Sequence, residues 1–153
     1  MVSRRRSLRQ KFFLAHLVNH PPNGGRPMIH NLGTKTTVLS LLPNDVVTTT
    51  GTGSAVDLAG YEGDMAVILD AEAGGAGITY ACKLTEADTS GGAYTDVTGG
   101  AFTTTEANTA LVEKISVNTN DLKRYIKLSV TVAGGTGAGA VSVTALASKK
   151  YGN

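Results

Sequence analysis

Two nine-residue stretches limit what this chain can fold into. In Ile78–Glu86, the residues Ile78, Tyr80, Cys82 and Leu84 alternate with Thr79, Ala81, Lys83 and Thr85. In Arg124–Val132, the residues Ile126, Leu128, Val130 and Val132 alternate with Tyr125, Lys127, Ser129 and Thr131. A period of two puts one set of side chains on one face of a β-strand, where it is buried. Nothing after Met28 sustains the apolar period of about 3.6 that marks an amphipathic helix, so a βαβ architecture is disfavoured.

The remaining segments fit the same pattern. Thr36–Leu42 reads as a strand stopped by Pro43-Asn44-Asp45, and Val46–Thr50 continues in β-branched residues that suit a pleated, half-buried surface. Gly51-Thr52-Gly53-Ser54 reads as a turn and Ala55–Leu58 as a short strand, with Val56 and Leu58 inward. Met65–Leu69 is a nearly continuous apolar run, expected to be a central strand buried on both faces. Tyr94–Val97, Phe102–Thr105, Leu111–Val117 and Ala140–Ala147 are further candidates, and Asn120–Lys123 has room for one helical turn. Glu86–Tyr94 reads as a polar hairpin loop, with Tyr94 and Val97 returning to the core. Short strands at regular spacing indicate a sandwich or barrel. The expected fold is all-β: an antiparallel two-sheet β-sandwich, jelly-roll-like, with an N-terminal basic arm.

At 153 residues the chain has room for about one domain and an appendage. The formal charge of +2 hides an asymmetry. Residues 1–27 hold Arg4, Arg5, Arg6, Arg9, Lys11 and Arg26 and no acid, whereas residues 28–153 hold all 12 acids. The domains are therefore read as a basic arm or extension over 1–27, ended by Pro and Gly, and a single β-sandwich over 28–153. A basic start before Phe12–Val18 has the order of a secretory signal, but the apolar stretch is minimal, contains His16 and lacks an A-x-A site. Leu8, Phe12, Ala15 and Val18 recur at helical spacing. Either this is an arm that orders against a partner, or Met28 is the biological start. No apolar run reaches the roughly 18–20 residues of a membrane helix.

Candidate chemistry is sparse. Gly134–Gly139 superficially matches a phosphate loop, but a β-branched segment follows instead of a helix, and the Lys-Ser/Thr pair is missing. A hairpin turn using positive φ at glycine is the better account. His16, His20 and His30 lie in the leader or at its junction with no carboxylate or thiol to complete a metal set. The single cysteine, Cys82, falls on the inward face of a strand, a small core hydrophobe. Asp64, Asp70, Glu72, Glu86 and Asp88 sit where strands meet loops, the usual place of solvated charge. Glycosidase or calcium chemistry from these acids would need them converged in a cleft. With no Trp and 5% aromatic residues, sugar platforms are scarce, although Tyr61, Tyr94 and Tyr151 remain available. No aromatic and basic residues interleave on a strand face, so nucleic acid is an unlikely partner, its contact confined to the Arg4–Lys11 cluster. No enzyme activity, metal or cofactor is expected.

Three phrases are more specific. They are Ala55-Val56-Asp57-Leu58-Ala59-Gly60-Tyr61-Glu62; Lys83-Leu84-Thr85-Glu86-Ala87-Asp88 with Gly91-Gly92-Ala93-Tyr94-Thr95-Asp96-Val97; and Lys123-Arg124-Tyr125-Ile126-Lys127-Leu128 leading to Thr131-Val132-Ala133-Gly134. In this order the chain resembles small virion structural proteins of tailed bacteriophages, most of all capsid decoration (cement) proteins, over most of Thr34–Ala147. The resemblance implies a non-enzymatic protein on the outer capsid surface. Its partners would be the major capsid protein and copies of itself as a homotrimer; residues 1–27 lie outside the resemblance, and there Arg4, Arg5, Arg6, Arg9 and Lys11 are read as capsid contacts. A head–tail connector or tail-tube component is the alternative within the virion, and a surface carbohydrate- or receptor-binding module the alternative from another class.

Overall fold

The computed structural model describes residues 32–135 and 137–151. After one helical turn, α1 (Leu32–Lys35), the described residues form nine strands. These are β1 (Thr36–Val47), β2 (Gly51–Thr52), β3 (Val56–Asp57), β4 (Asp64–Ala71), β5 (Thr79–Ala87), β6 (Thr95–Ala101), β7 (Leu111–Asn118), β8 (Tyr125–Ala133) and β9 (Gly139–Ser148). Sheet I has the order β1-β9-β4-β7, and sheet II the order β2-β8-β5-β6 with β3 also on β8. All pairings are antiparallel. Because β2 and β3 occupy one lane beside β8, the sandwich has four lanes in each sheet.

The chain wraps around this sandwich. Between lanes it changes sheet at every connection except the β5–β6 hairpin. That winding is the jelly roll expected from the sequence, eight lanes in two sheets. It also corrects one detail: Gly134–Gly139 is not a hairpin turn, since β8 lies in sheet II and β9 in sheet I. Gly134 does take a positive φ of 92°. It is also pressed against the Gly77 carbonyl, so glycine is required there twice over.

The core lies between the inner faces. Sheet I contributes Leu41 from β1, Met65, Val67 and Leu69 from β4, and Val141 and Val143 from β9. Sheet II contributes Tyr80, Cys82 and Leu84 from β5 and Ile126, Leu128 and Val130 from β8. Both alternations read from the sequence are present, except that Thr85 is buried as well and Val132 is only partly buried. The Tyr80 phenol is wholly buried, and its hydroxyl lies 3.2 Å from the carbonyl oxygens of Val47 and Gly139. A buried hydroxyl without such acceptors would be costly.

Three sequence expectations need correcting. Pro43 does not stop a strand: β1 runs through it, because β1 is an edge lane and register shifts between Ser40 and Asp45 absorb the residues that cannot pair. Gly51-Thr52 is not a turn but a two-residue strand against Val130 and Ser129. Phe102–Thr105 is not a regular strand, although it follows β5 through Phe102 N–H to the Cys82 carbonyl (3.0 Å) and Thr105 N–H to the Tyr80 carbonyl (2.9 Å). The Thr105 hydroxyl completes that pairing by accepting the Tyr80 N–H at 2.7 Å.

Gly53 follows β2, and its N–H donates to the Leu128 carbonyl at 2.8 Å. A methyl group at this position would run into the Leu41 carbonyl oxygen. The collision is with backbone on the opposite sheet, so it cannot be relieved by turning a side chain. Gly53→Ala is therefore expected to destabilise the domain by about 1–3 kcal/mol, the usual penalty of overpacking, read as a lower urea midpoint at unchanged slope.

Candidate interaction surface

Residues singled out in the sequence are dispersed by the fold. Arg4, Arg5, Arg6, Arg9, Lys11, His16, His20 and His30 lie outside the described residues. Cys82 is buried and its thiol is pushed up to about 11 by burial, which suits a core hydrophobe and not a nucleophile. Asp64 and Asp70 stand at opposite ends of β4, and Asp64 accepts from the Asn118 amide at 3.3 Å. Glu86 accepts the Lys123 N–H at 2.9 Å, and Asp88 faces the Lys123 ammonium at 3.8 Å. Asp70 and Glu72 line an open hollow of about 260 Å³ with Asn44, Ala140 and Ser142. Among the described residues no group of three or more His, Cys, Asp or Glu side chains is placed to hold a metal. No helix among them is long and apolar enough to cross a membrane.

The outer face of sheet II holds a cluster that sequence reasoning missed. Tyr125 pairs with Asp57 on one side and Ala87 on the other. One step beyond the Glu86–Thr95 pair, Tyr94 comes beside Ala87 from the far strand. Ala87 points away from the core yet is 1% exposed, with Gly92 close beside its methyl group. The Lys127 ammonium sits 4.4 Å from the centre of the Tyr94 ring, and the Arg124 guanidinium 5.1 Å from that of Tyr125. Aromatic and basic residues therefore do interleave on this face, contrary to expectation, and Tyr94 serves this outer cluster and not the core. The signal was in the register: only the Ala87–Tyr125 pairing reveals that Tyr94 and Tyr125 flank one alanine.

This face is also electrostatically complete. Arg124 grips Asp57 through two nitrogens, the shortest contact being 2.8 Å, and Lys83 meets Asp96 at 2.8 Å. With Lys123 facing Asp88, three of its four cations have a carboxylate, and Lys127 has its ring. Ring faces covered by the chain's own cations offer little to a stacking sugar or base. Of the other tyrosines, Tyr61 is half-buried beside Lys149, and Tyr151 is exposed.

Sheet I is different. Met65–Leu69 was expected to be buried on both faces, and the structure corrects this. β4 alternates, with Met65, Val67 and Leu69 in the core, while Ala66 and Ile68 point outward and remain partly exposed. A continuous apolar run therefore does not mean a strand covered twice. Across the four lanes, one outer row reads Val38, Leu146, Ala66, Ser116. The next reads Ser40, Thr144, Ile68, Lys114, and a third Ser142, Asp70, Val112. Val38 is 65% and Val112 71% exposed. Val46, another exposed valine, pairs with Ala140 on the same sheet. Short side chains dominate, charges are few, and the ion pairs found among the described residues all belong to sheet II and its loops. The exposed valines therefore stand at the margins of a face otherwise made of small, hydroxyl and a few apolar side chains.

No family model matches the sequence, and no curated protein matches it. Among solved structures, the domain is similar to the crystal structure of the SPBc2 prophage-derived protein YomS, with a TM-score of 0.51 and 13% sequence identity. The match covers 73% of this chain and 91% of that one. The likeness is one of fold. It supports the two-sheet antiparallel sandwich already evident from the strand pairing.

The Asp57–Arg124 pair gives a direct test of the sheet II cluster. The guanidinium, and to a smaller extent the Ala59 N–H, holds the Asp57 carboxyl down at about 2. A depressed carboxylate contributes stability above its unfolded value near 4, and that contribution fades as the pH falls towards 2. Carboxyl NMR titration is expected to show Asp57 with a midpoint near 2, moving up towards the ordinary carboxylate range in Arg124→Ala.

Proposed function

We propose that this chain is a non-enzymatic structural protein of a tailed-bacteriophage virion, a capsid decoration or cement protein that binds and stabilises the major capsid lattice. The observation that carries this reading is the contrast between the two outer faces. A domain whose sheet II is finished with its own ion pairs, while sheet I is left with exposed valines and small hydroxyl residues, has the surface of a building block. The fold neighbour comes from a prophage by its printed name, and the three sequence phrases resemble virion structural proteins.

The physics is mass action. A protein that binds only the assembled shell stabilises the shell, by about 2.7 kcal/mol per site at a hundredfold excess over its dissociation constant. Many modest contacts repeated over a lattice gain further from multivalency. The cluster Arg4, Arg5, Arg6, Arg9 and Lys11 would pair with acidic capsid surface, at the entropic cost of ordering that segment. The partners are then the major capsid protein and further copies of the chain, and the site of action is the outside of the capsid.

The purified chain, mixed with empty capsids from the same genome, is expected to co-sediment with expanded shells but not with unexpanded precursors, and to raise the shell's melting temperature. Removing residues 1–27 should lower occupancy. Rings formed without capsid would instead indicate a connector, and glycan binding without capsid binding a receptor module; either result overturns the assignment.

A further inference from the structure

We infer that the outer edge of β7 takes up an extended segment of a partner protein as a further antiparallel strand, with apolar side chains at alternate positions and a lysine or arginine among them. On the virion reading, on which this rests, the segment belongs to the major capsid protein.

Two sheets of four lanes have four edges, and each exposes backbone groups that invite pairing. Three are blunted. β1 carries Pro43 and two register shifts. β6 pairs with β5 at three positions, broken by a shift, and takes a positive φ of 73° at Gly99. β2 and β3 have two residues each. The fourth edge, β7, is regular: its eight residues pair with β4 without interruption. The Thr119 N–H donates to the Gly63 carbonyl at 2.9 Å, which sets the alternation of that ladder. The backbone N–H and C=O groups of Val112, Lys114, Ser116 and Asn118 therefore face away from β4. Among the described residues they have no backbone partner. A row of this kind is satisfied by another strand.

The flank between β7 and β6 defines what that strand carries. On the inner side of β7, Leu111 and Ile115 stay partly exposed. Near Glu113 the flank is closed by Thr103, whose N–H donates to that carboxylate at 2.8 Å. Towards Asn118 it opens into a hollow of about 330 Å³, lined by Val97, Val117 and Leu122 together with Glu86 and Asp121. Glu86 lies opposite Ile126 in the ladder, so a carboxylate continues the inner row of β5 after Leu84. It accepts the Lys123 backbone N–H, but no ion pair among the described residues includes Glu86 or Asp121. Apolar walls ending in two carboxylates suit the stem and the head of a basic side chain. A second copy's β7 fits badly. Its inner row is Leu111, Glu113, Ile115 and Val117, which brings a further acid and no base.

NMR titration of the full chain with the peptide acetyl-Thr-Val-Thr-Val-Thr-Lys-Thr-amide, up to millimolar concentration, tests this. Shifts are expected along β7 and at Leu122, with amide exchange slowed roughly tenfold or more at Val112, Lys114 and Ser116. Ser116→Pro removes one outward N–H, keeps the bonds to β4, and should abolish binding. Asp121→Lys should weaken binding roughly tenfold and reverse the preference towards a peptide with glutamate in place of lysine. Unchanged circular-dichroism melting confirms that each variant folds. If Ser116→Pro does not fold, a peptide N-methylated at the amides facing β7 makes the same test. Absence of binding, shifts at the β1 edge instead, or slow exchange of these amides in the free chain would each overturn the strand site. So would binding that survives Ser116→Pro, or no preference for the basic peptide. Capsid co-sedimentation is read separately. A chain that takes the peptide but no capsid loses the virion assignment and keeps the strand site. Capsids bound equally well by Ser116→Pro remove the strand site and leave the assignment standing.

Discussion

The structure depends on a single packed layer between two inner sheet faces. A strand has two faces, and only one of each pair of neighbouring residues can reach that layer. Tyr80, Cys82 and Leu84 from one sheet and Met65, Val67 and Leu69 from the other fill it. Because successive lanes change sheet, each crossing commits the next strand to the opposite wall, and no segment can slip by one residue without turning its core side chains outward. The buried Tyr80 hydroxyl, set between carbonyls at the ends of β1 and the start of β9, binds the two walls where apolar contact alone would not fix direction.

What is left outside that layer differs between the sheets. On sheet II, cations sit against tyrosine rings, and the charges neutralise each other within the same surface. On sheet I, Ala66, Thr144 and Ser142 are too short to cover anything, and Val38 and Val112 stand at the margins. Solvation is cheap for the first surface and unfavourable for the second. This difference is the main asymmetry between the two outer surfaces of the described domain.

Much of this was legible in the residues. The alternations in Ile78–Glu86 and Arg124–Val132 located the inner face of sheet II, and turn spacing indicated the sandwich. Local reading failed where pairing partners decided the outcome. Pro43 is harmless because its lane is an edge, and Gly51-Thr52 is a strand because β8 lies beside it. Met65–Leu69 looked doubly buried because alanine and isoleucine are apolar wherever they point. The Tyr94–Ala87–Tyr125 cluster was invisible for a related reason: its members come from three segments, and nothing in one segment announces the other two.

The ladder between β1 and β9 sets Thr36 opposite Ser148, so both extremities of the described domain leave from neighbouring lanes at the same corner. Tension applied through those two extremities would fall on the first rung alone and peel β1 away one hydrogen bond after another, the mode in which a sheet resists least. Force spread over the broad sides meets all the rungs together. Such a module is mechanically strong when squeezed or sheared within an assembly and weak when tugged by its tails.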